Sequence, residues 1–246
     1  MDRSLYIAMT GAKQTMHAQT KAAHNLANAK TDGFKADLAQ FRAMPIFGEG
    51  MPARAFAMSE RPGYDFTPGA MITTGNEMDF AVQGQGWFAV QPVDGEEGYS
   101  RAGSLRVSPT GLLEDSHGRM VLGEGGPINL PPFEKLNIAR DGTISIRPVG
   151  APPNVIEAVG RIRLVNPPNE ELYKGQDGLF RLQNGQAAQP DANVRISDGM
   201  LEASNVNTIA ELTDMIALSR QFELQVKMME DARSNDRALE QLLQFS

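Results

Sequence analysis

Glycine and proline are spread so unevenly along this chain of 246 residues that they decide where helices can form. All 15 prolines lie between Pro45 and Pro190, and 22 of the 24 glycines lie between Gly48 and Gly199. Gly11 and Gly33 are the two that precede them, and neither residue type occurs from Met200 to Ser246. Proline removes a backbone donor and glycine raises the entropic cost of a helix. The two ends are therefore helix-permissive arms around a turn-rich middle. The expected organisation is a helix and turn over 1–35, an extended connector over 36–75, a central β-domain over 76–199 and a second helix over 200–246. The expected fold class is α+β, with terminal helices in a coiled-coil-like layer and a central antiparallel all-β domain.

Composition narrows the function. The chain has no cysteine, which removes a disulfide scaffold, a thiolate zinc site and a cysteine nucleophile together. Its net charge of −7 argues against a general nucleic-acid binder, which needs a basic footprint. No apolar run approaches the roughly 18 residues that mark a membrane span. The start, Met1-Asp2-Arg3-Ser4-Leu5-Tyr6, lacks the basic-then-apolar pattern of a cleaved secretion signal.

In the first arm Leu5, Met9, Ala12, Met16, Gln19, Ala23 and Leu26 recur at steps of four and three, which sets them on one helix face. Asp2 or Ser4 suits the N-cap. The helix should end near Asn28, a residue that tolerates the left-handed C-cap conformation, with Thr31-Asp32-Gly33 as the turn beyond it. In the second arm Leu212, Met215, Ser219, Phe222, Val226 and Met229 keep the same alternation, and Leu239, Leu242 and Leu243 resume it. Asn207 or Thr208 suits its N-cap, and Glu223 with Lys227 makes a favourable i,i+4 pair. A helix through this arm is on the order of 55 Å long, against a radius of gyration near 18 Å for a compact chain of this length. It should belong to a coiled coil or an assembly. Residues 1–44 carry net charge +3 and 201–246 carry −4, so the arms suit pairing with each other or with neighbouring copies. Ala12, Gln19, Ala23 and Ser219 bury little, so a lone helix pair with these faces is marginal. A simple intramolecular hairpin is the plainer alternative.

The middle reads as short alternating runs bounded by glycine. Asp79–Val82, Trp87–Val90, Leu105–Val107, Met120–Leu122, Leu136–Ile138, Thr143–Ile146, Arg161–Val165 and Leu179–Leu182 are the expected strands. Asp141-Gly142 and Asp177-Gly178 are expected turns. Catalytic chemistry is sparse. His17 and His24 share a helix face without a third ligand, and Gly84-Gln85-Gly86 lacks the rest of a dinucleotide loop. Gly123-Glu124-Gly125-Gly126-Pro127 has no Lys-Ser/Thr after it, and there is no Gly-x-Ser-x-Gly elbow. A β-rich cell-wall glycosidase, which needs an acid pair in a cleft, is the rival from a different class. No cofactor or metal is expected.

Four stretches, in order, resemble the signatures of the flagellar rod and hook protein family. They are Asn25-Leu26-Ala27-Asn28 with Thr31-Asp32-Gly33-Phe34-Lys35, then Gly84-Gln85-Gly86-Trp87-Phe88-Ala89-Val90. Tyr99-Ser100-Arg101-Ala102-Gly103-Ser104-Leu105 follows, and then Leu201-Glu202-Ala203-Ser204-Asn205-Val206-Asn207 with Glu211 and Met215-Ile216. Chain length and local phrases such as Asp177-Gly178-Leu179-Phe180-Arg181-Leu182 favour a proximal-rod subunit; the alternative within the family is a distal-rod or hook subunit. The resemblance implies a non-catalytic protein exported unfolded through the flagellar type III apparatus, without a cleaved signal, from the cytoplasm where it is made. It implies a subunit that stacks helically in the basal-body rod across the periplasm to transmit torque, with helices in an inner layer and the β-domain outside. The partners implied are other copies and neighbouring rod subunits, with no nucleic acid, small-molecule substrate or membrane insertion. The expected assembly residues are Leu5, Met9, Met16, Leu26, Asn28, Gly33, Phe34 and Lys35 in the first arm. In the second they are Leu201, Asn205, Val206, Leu212, Met215, Ile216, Phe222, Val226, Met229, Leu239 and Leu242.

Overall fold

Where glycine and proline are missing the chain is helical: α1 spans Arg3–Ala27 and α2 spans Thr208–Gln244. The computed structural model describes residues 3–38, 41–45, 55–59, 63–92, 95–152 and 154–244. The chain divides into two units, one of Met1–Ala29, Lys35–Asp65 and Val206–Ser246, the other of Lys30–Phe34 and Phe66–Asn205.

In the first unit α1 and α2 lie side by side and run in opposite directions. Asn25 Nδ2 donates to Glu211 Oε1 at 2.8 Å near one end, and Gln225 Nε2 donates to Thr15 Oγ1 at 3.4 Å further along. Asn207 caps α2, its Oδ1 accepting from the N–H groups of Ile209 and Ala210. Asp2 lies outside the described residues and Ser4 lies within α1. At the end of α1, Asn28 does not take the left-handed conformation expected of it: no described residue other than glycine has positive φ. Its side-chain Nδ2 donates instead to the carbonyl of His24 at 2.9 Å, satisfying one of the helix's free end carbonyls.

The residues read as an extended connector, 36–75, carry short antiparallel strands. Asp37–Leu38 pairs with Gly63–Tyr64, and Phe41–Pro45 pairs with Ala55–Ser59, in the first unit; Met71–Thr73 pairs with Met200–Glu202 in the second. Proline and methionine had masked strands whose ladders are only two to five residues long.

The second unit is antiparallel β throughout its described ladders. Its largest sheet has nine strands and runs Leu172–Lys174, Phe180–Leu182, Gly98–Ser100, Trp87–Gln91, Met120–Gly123, Leu113–Asp115, Leu105–Val107, with two short strands attached beside that path. A three-stranded sheet of Phe133–Ile138, Thr143–Pro148 and Glu157–Arg161 supplies Leu136, Ile138, Ile144 and Ile146 to the same core as Phe88, Val90, Leu113 and Val121. The turn Asp141-Gly142 joins two of these strands, with Gly142 at φ 86°. Phe80–Gln83 and Trp87–Gln91 flank the turn at Gly84 and Gly86 without pairing to each other. Phe80–Gln83 pairs with Arg195–Asp198, so this turn passes the chain between sheets. The expected strand Arg161–Val165 is divided likewise: Glu157–Arg161 belongs to the smaller sheet and Leu164–Val165 pairs with Trp87–Gln91.

Candidate assembly site

The four sequence signatures meet at one buried node of the second unit. Glu202, on Met200–Glu202, is its centre. Its Oε2 accepts from Arg101 Nη1 at 2.8 Å, its Oε1 accepts from the N–H of Gly69 at 3.0 Å, and its carbonyl accepts from the N–H of Gly33 at 2.7 Å. The Arg101 and Glu202 side chains are 4% and 0% exposed. Arg101 Nη2 also donates to the Gly84 carbonyl at 2.6 Å, and its guanidinium stands 5.3 Å from the centre of the Trp87 ring. Glu202 thus ties its own strand, which leads to α2, to the turn after α1 through its backbone carbonyl and to Gly69 and Arg101 through its carboxylate. A charge this deep is tolerable because both of its oxygens accept hydrogen bonds and both terminal nitrogens of its partner donate one.

Gly33 is required there twice over. Its φ is 66°, and a Cβ on it would lie 2.2 Å from the Arg101 carbonyl carbon. Gly103 is in the same position opposite Phe80, whose carbonyl oxygen would sit 1.5 Å from an added Cβ. Beside the node, Phe66, Trp87 and Phe180 form an aromatic cluster, with Trp87 and Phe180 centroids 4.8 Å apart. Lys174 Nζ stands 3.9 Å from the centre of Phe34 and reaches toward Phe180. Asn205 donates from Nδ2 to the Thr67 carbonyl at 3.1 Å, and its N–H donates to the Phe34 carbonyl. Of the expected residues, Gly33, Phe34, Leu201 and Asn205 therefore belong to this node and its rim.

The helical pair holds most of the others. Asn25 is 2% exposed and uses its whole amide: Nδ2 donates to the Asp37 carbonyl and to Glu211, and Oδ1 accepts from the Asp37 N–H. Lys35 is buried in the same unit, and Val206 is half-buried. His24 pairs with Asp37 at 2.7 Å, while His17 is exposed. Among the described residues no group of His, Asp and Glu side chains is placed to hold a metal ion.

The seam of α1 is not the face the apolar spacing marks. Ala8, Ala12, Thr15, Ala18, Ala22 and Asn25 are buried, whereas Met9 and Met16 are 53% and 62% exposed. Leu5 and Leu26 are half-buried, and Ala23 is exposed. The buried face is rotated by one residue, about 100° on a helix. Small side chains win because they let the helices approach: a Cβ on Gly11 would lie 2.8 Å from the Gln225 side chain. On α2 the contacting residues Glu211 and Gln225 share a row with Met215, Phe222 and Met229, which are half-buried, as is Val226. Leu212 and Ile216 are exposed together with Ile209, Leu224 and Met228, on the side turned away from that row. The side chains of Leu239, Leu242 and Leu243 lie outside the described residues.

Arg101, Glu202 and Asn25 are the residues that spacing alone missed. Each stands in a quoted signature, and a lone polar residue at an otherwise apolar or glycine-rich position was the available signal. A carboxylate pair in a groove also exists, Glu96 and Glu97 beside Tyr99, Tyr173 and Arg181. Glu97 is paired with Arg163, and the exposed Glu96 lies 3.7 Å from Arg181.

Two family models match the chain: flagellar basal body rod FlgEFG protein C-terminal, over residues 197–242, and flagellar hook protein FlgE/F/G D1 domain, over residues 81–146. The flagellar basal-body rod protein FlgF of Escherichia coli (strain K12) is 44% identical, with all of both chains covered. That of Salmonella typhimurium is 43% identical over the same full coverage. The FlgF protein of Caulobacter vibrioides is 34% identical, covering 97% of this chain and 96% of its own.

Proposed function

Because the chain belongs to the FlgF family of flagellar basal-body rod proteins, structural subunits of the flagellum and not enzymes, we propose that it enters the proximal rod through the outward faces of its helical pair. One observation carries this reading. Ile209, Leu212, Ile216, Leu224 and Met228 on α2, with Tyr6, Met9 and Met16 on α1, stay exposed after the two helices have paired. Each large apolar side chain gains about 1.5–3 kcal/mol on full burial, and neighbouring subunits supply that burial. The helices then form a coiled-coil-like inner layer, and the β-unit stands outside it.

The same physics accounts for delivery. No helix among the described residues is long and apolar enough to cross a membrane, and type III export as an unfolded chain requires neither anchor nor cleaved signal. Arms that gain their full packing only beside neighbours do not polymerise before they arrive. In the rod, the Glu202 node keeps the β-unit's own passages of chain, the turn at Gly33 and the strand Met200–Glu202, fixed to one another as the unit carries torque.

Ile216→Asp tests the proposal. It lies off the seam, so the β-unit and the helical pair should stay folded, while the variant is absent from isolated basal bodies and the cells do not swim. Normal swimming, with the variant present in basal bodies at the wild-type level, would sink it.

A further inference from the structure

The helical pair carries a groove of about 380 Å³ lined by the seam alanines Ala18 and Ala22 of α1 and by Leu218 and the exposed Ala217 of α2. Its rim is acidic: Asp37, Glu211 and Asp214 stand there with one lysine, Lys21. On another side of α1 the stripe of Met9 and Met16 is exposed, two turns apart, and Tyr6, Lys13 and His17 are among the exposed side chains beside it. From Arg3 to Ala27 that helix contains no acidic residue at all.

We propose that the groove of one copy receives the Met9–Met16 stripe of α1 from a second copy. The proposal rests on the assembly reading above and specifies which two surfaces meet. Methionine is unbranched and polarizable, and it fills irregular apolar space without demanding one shape. Lys13 beside the stripe then faces the exposed Asp214, while Glu211 keeps its hydrogen bond from Asn25. The alternatives are disfavoured by charge: groove against groove opposes acids with acids, and stripe against stripe opposes Lys13 with Lys13. Because the two surfaces differ, the contact is heterologous and repeats from copy to copy rather than closing as a twofold dimer. The exposed face of α2 remains free for other axial subunits.

The absence of cysteine gives the test a clean background. Cells make two alleles, one Met16→Cys and one Ala217→Cys, both at exposed positions, and isolated basal bodies are treated with a short bismaleimide. The expected result is a crosslinked dimer containing one chain of each kind, formed only when both alleles are present. Equal dimer yield from either allele alone would overturn the heterologous geometry. So would the lack of any dimer when both variants are incorporated. Absence of the unmodified chain from basal bodies would instead sink the functional reading beneath it. Adding Lys13→Glu to the first allele should lower the yield several-fold, and Asp214→Lys on the second should restore it. A yield indifferent to both would overturn the charge pairing.

Discussion

Arg101 and Glu202 show how much a single buried pair can determine. Replacing one partner strands the other charge in the interior, at a cost of about 3–5 kcal/mol. Arg101→Met should lower the unfolding free energy of the β-unit, measured by urea denaturation, by that amount, whereas Arg101→Met with Glu202→Met should recover much of it. A single variant within about 1 kcal/mol of wild type would show that the node does not tie the chain. At the surface, Asp177 illustrates a gentler dependence on pH. Two hydrogen bonds from Arg181, at 2.6 and 2.9 Å, hold its carboxyl below the usual aspartate range. A lowered folded value means stabilisation that is present above the ordinary pKa of about 3.9 and is lost as pH falls through the lowered one. Asp177→Asn should therefore weaken the protein at neutral pH and flatten its loss of stability on acidification, measured as urea midpoints across the acid range. Asp32 runs the other way: burial, then the nearby Asp79 charge, raises its pKa, so its contribution is present at low pH and lost as pH rises.

The seam of α1 is made by alanines, and overfilling it is the direct way to disturb it. Ala18 is 5% exposed between the helices, and Ala18→Leu should cost about 1–3 kcal/mol by overpacking. Met16→Ser, one face away, should leave helicity unchanged. Far-UV circular dichroism through a thermal melt separates the two, and equal melting of both variants would contradict the assigned seam. This is also where sequence reading reached its limit. The existence of both helices, the Asn207 cap and the turns at Asp141 and Asp177 follow from local chemistry, and they stand in the structure. The seam does not follow locally, because two stripes of α1 share the same heptad spacing. Spacing favours the bulkier one, Leu5, Met9 and Met16. The structure favours the one whose small residues allow close approach, and that choice depends on α2. The short strands at Asp37 and Phe41 were equally hidden, since their pairing partners lie some 10 to 27 positions downstream. Arg101 and Glu202 are 101 positions apart, and nothing in either neighbourhood announces the other.

At the scale of the molecule, the two units are unequal in what stabilises them. The β-unit has a contiguous core of large side chains, from Phe80 and Phe88 to Ile144, Ile162 and Leu179, each at most 1% exposed. The helical unit buries mainly alanine methyl groups along α1, while ordering each helical residue costs about 1–2 kcal/mol of backbone entropy. In a dilute lone subunit the outward apolar stripes have no partner to offset that cost. Amide hydrogen exchange on the purified protein should then divide along the chain. The strands Phe80–Gln83, Trp87–Gln91 and Thr143–Pro148 should be protected to the level of global unfolding, and α1 with the first turns of α2 should exchange orders of magnitude faster. In isolated basal bodies the same helical amides should become as slow as the strands. Uniform protection in a subunit shown to be monomeric by sedimentation would contradict this, since it would mean that the helical pair alone is as stable as the β-unit. The division places the cost of ordering the arms at the point of assembly. It keeps the chain from polymerising before its neighbours are present, and it concentrates the gain from burial at the contacts that hold the rod together.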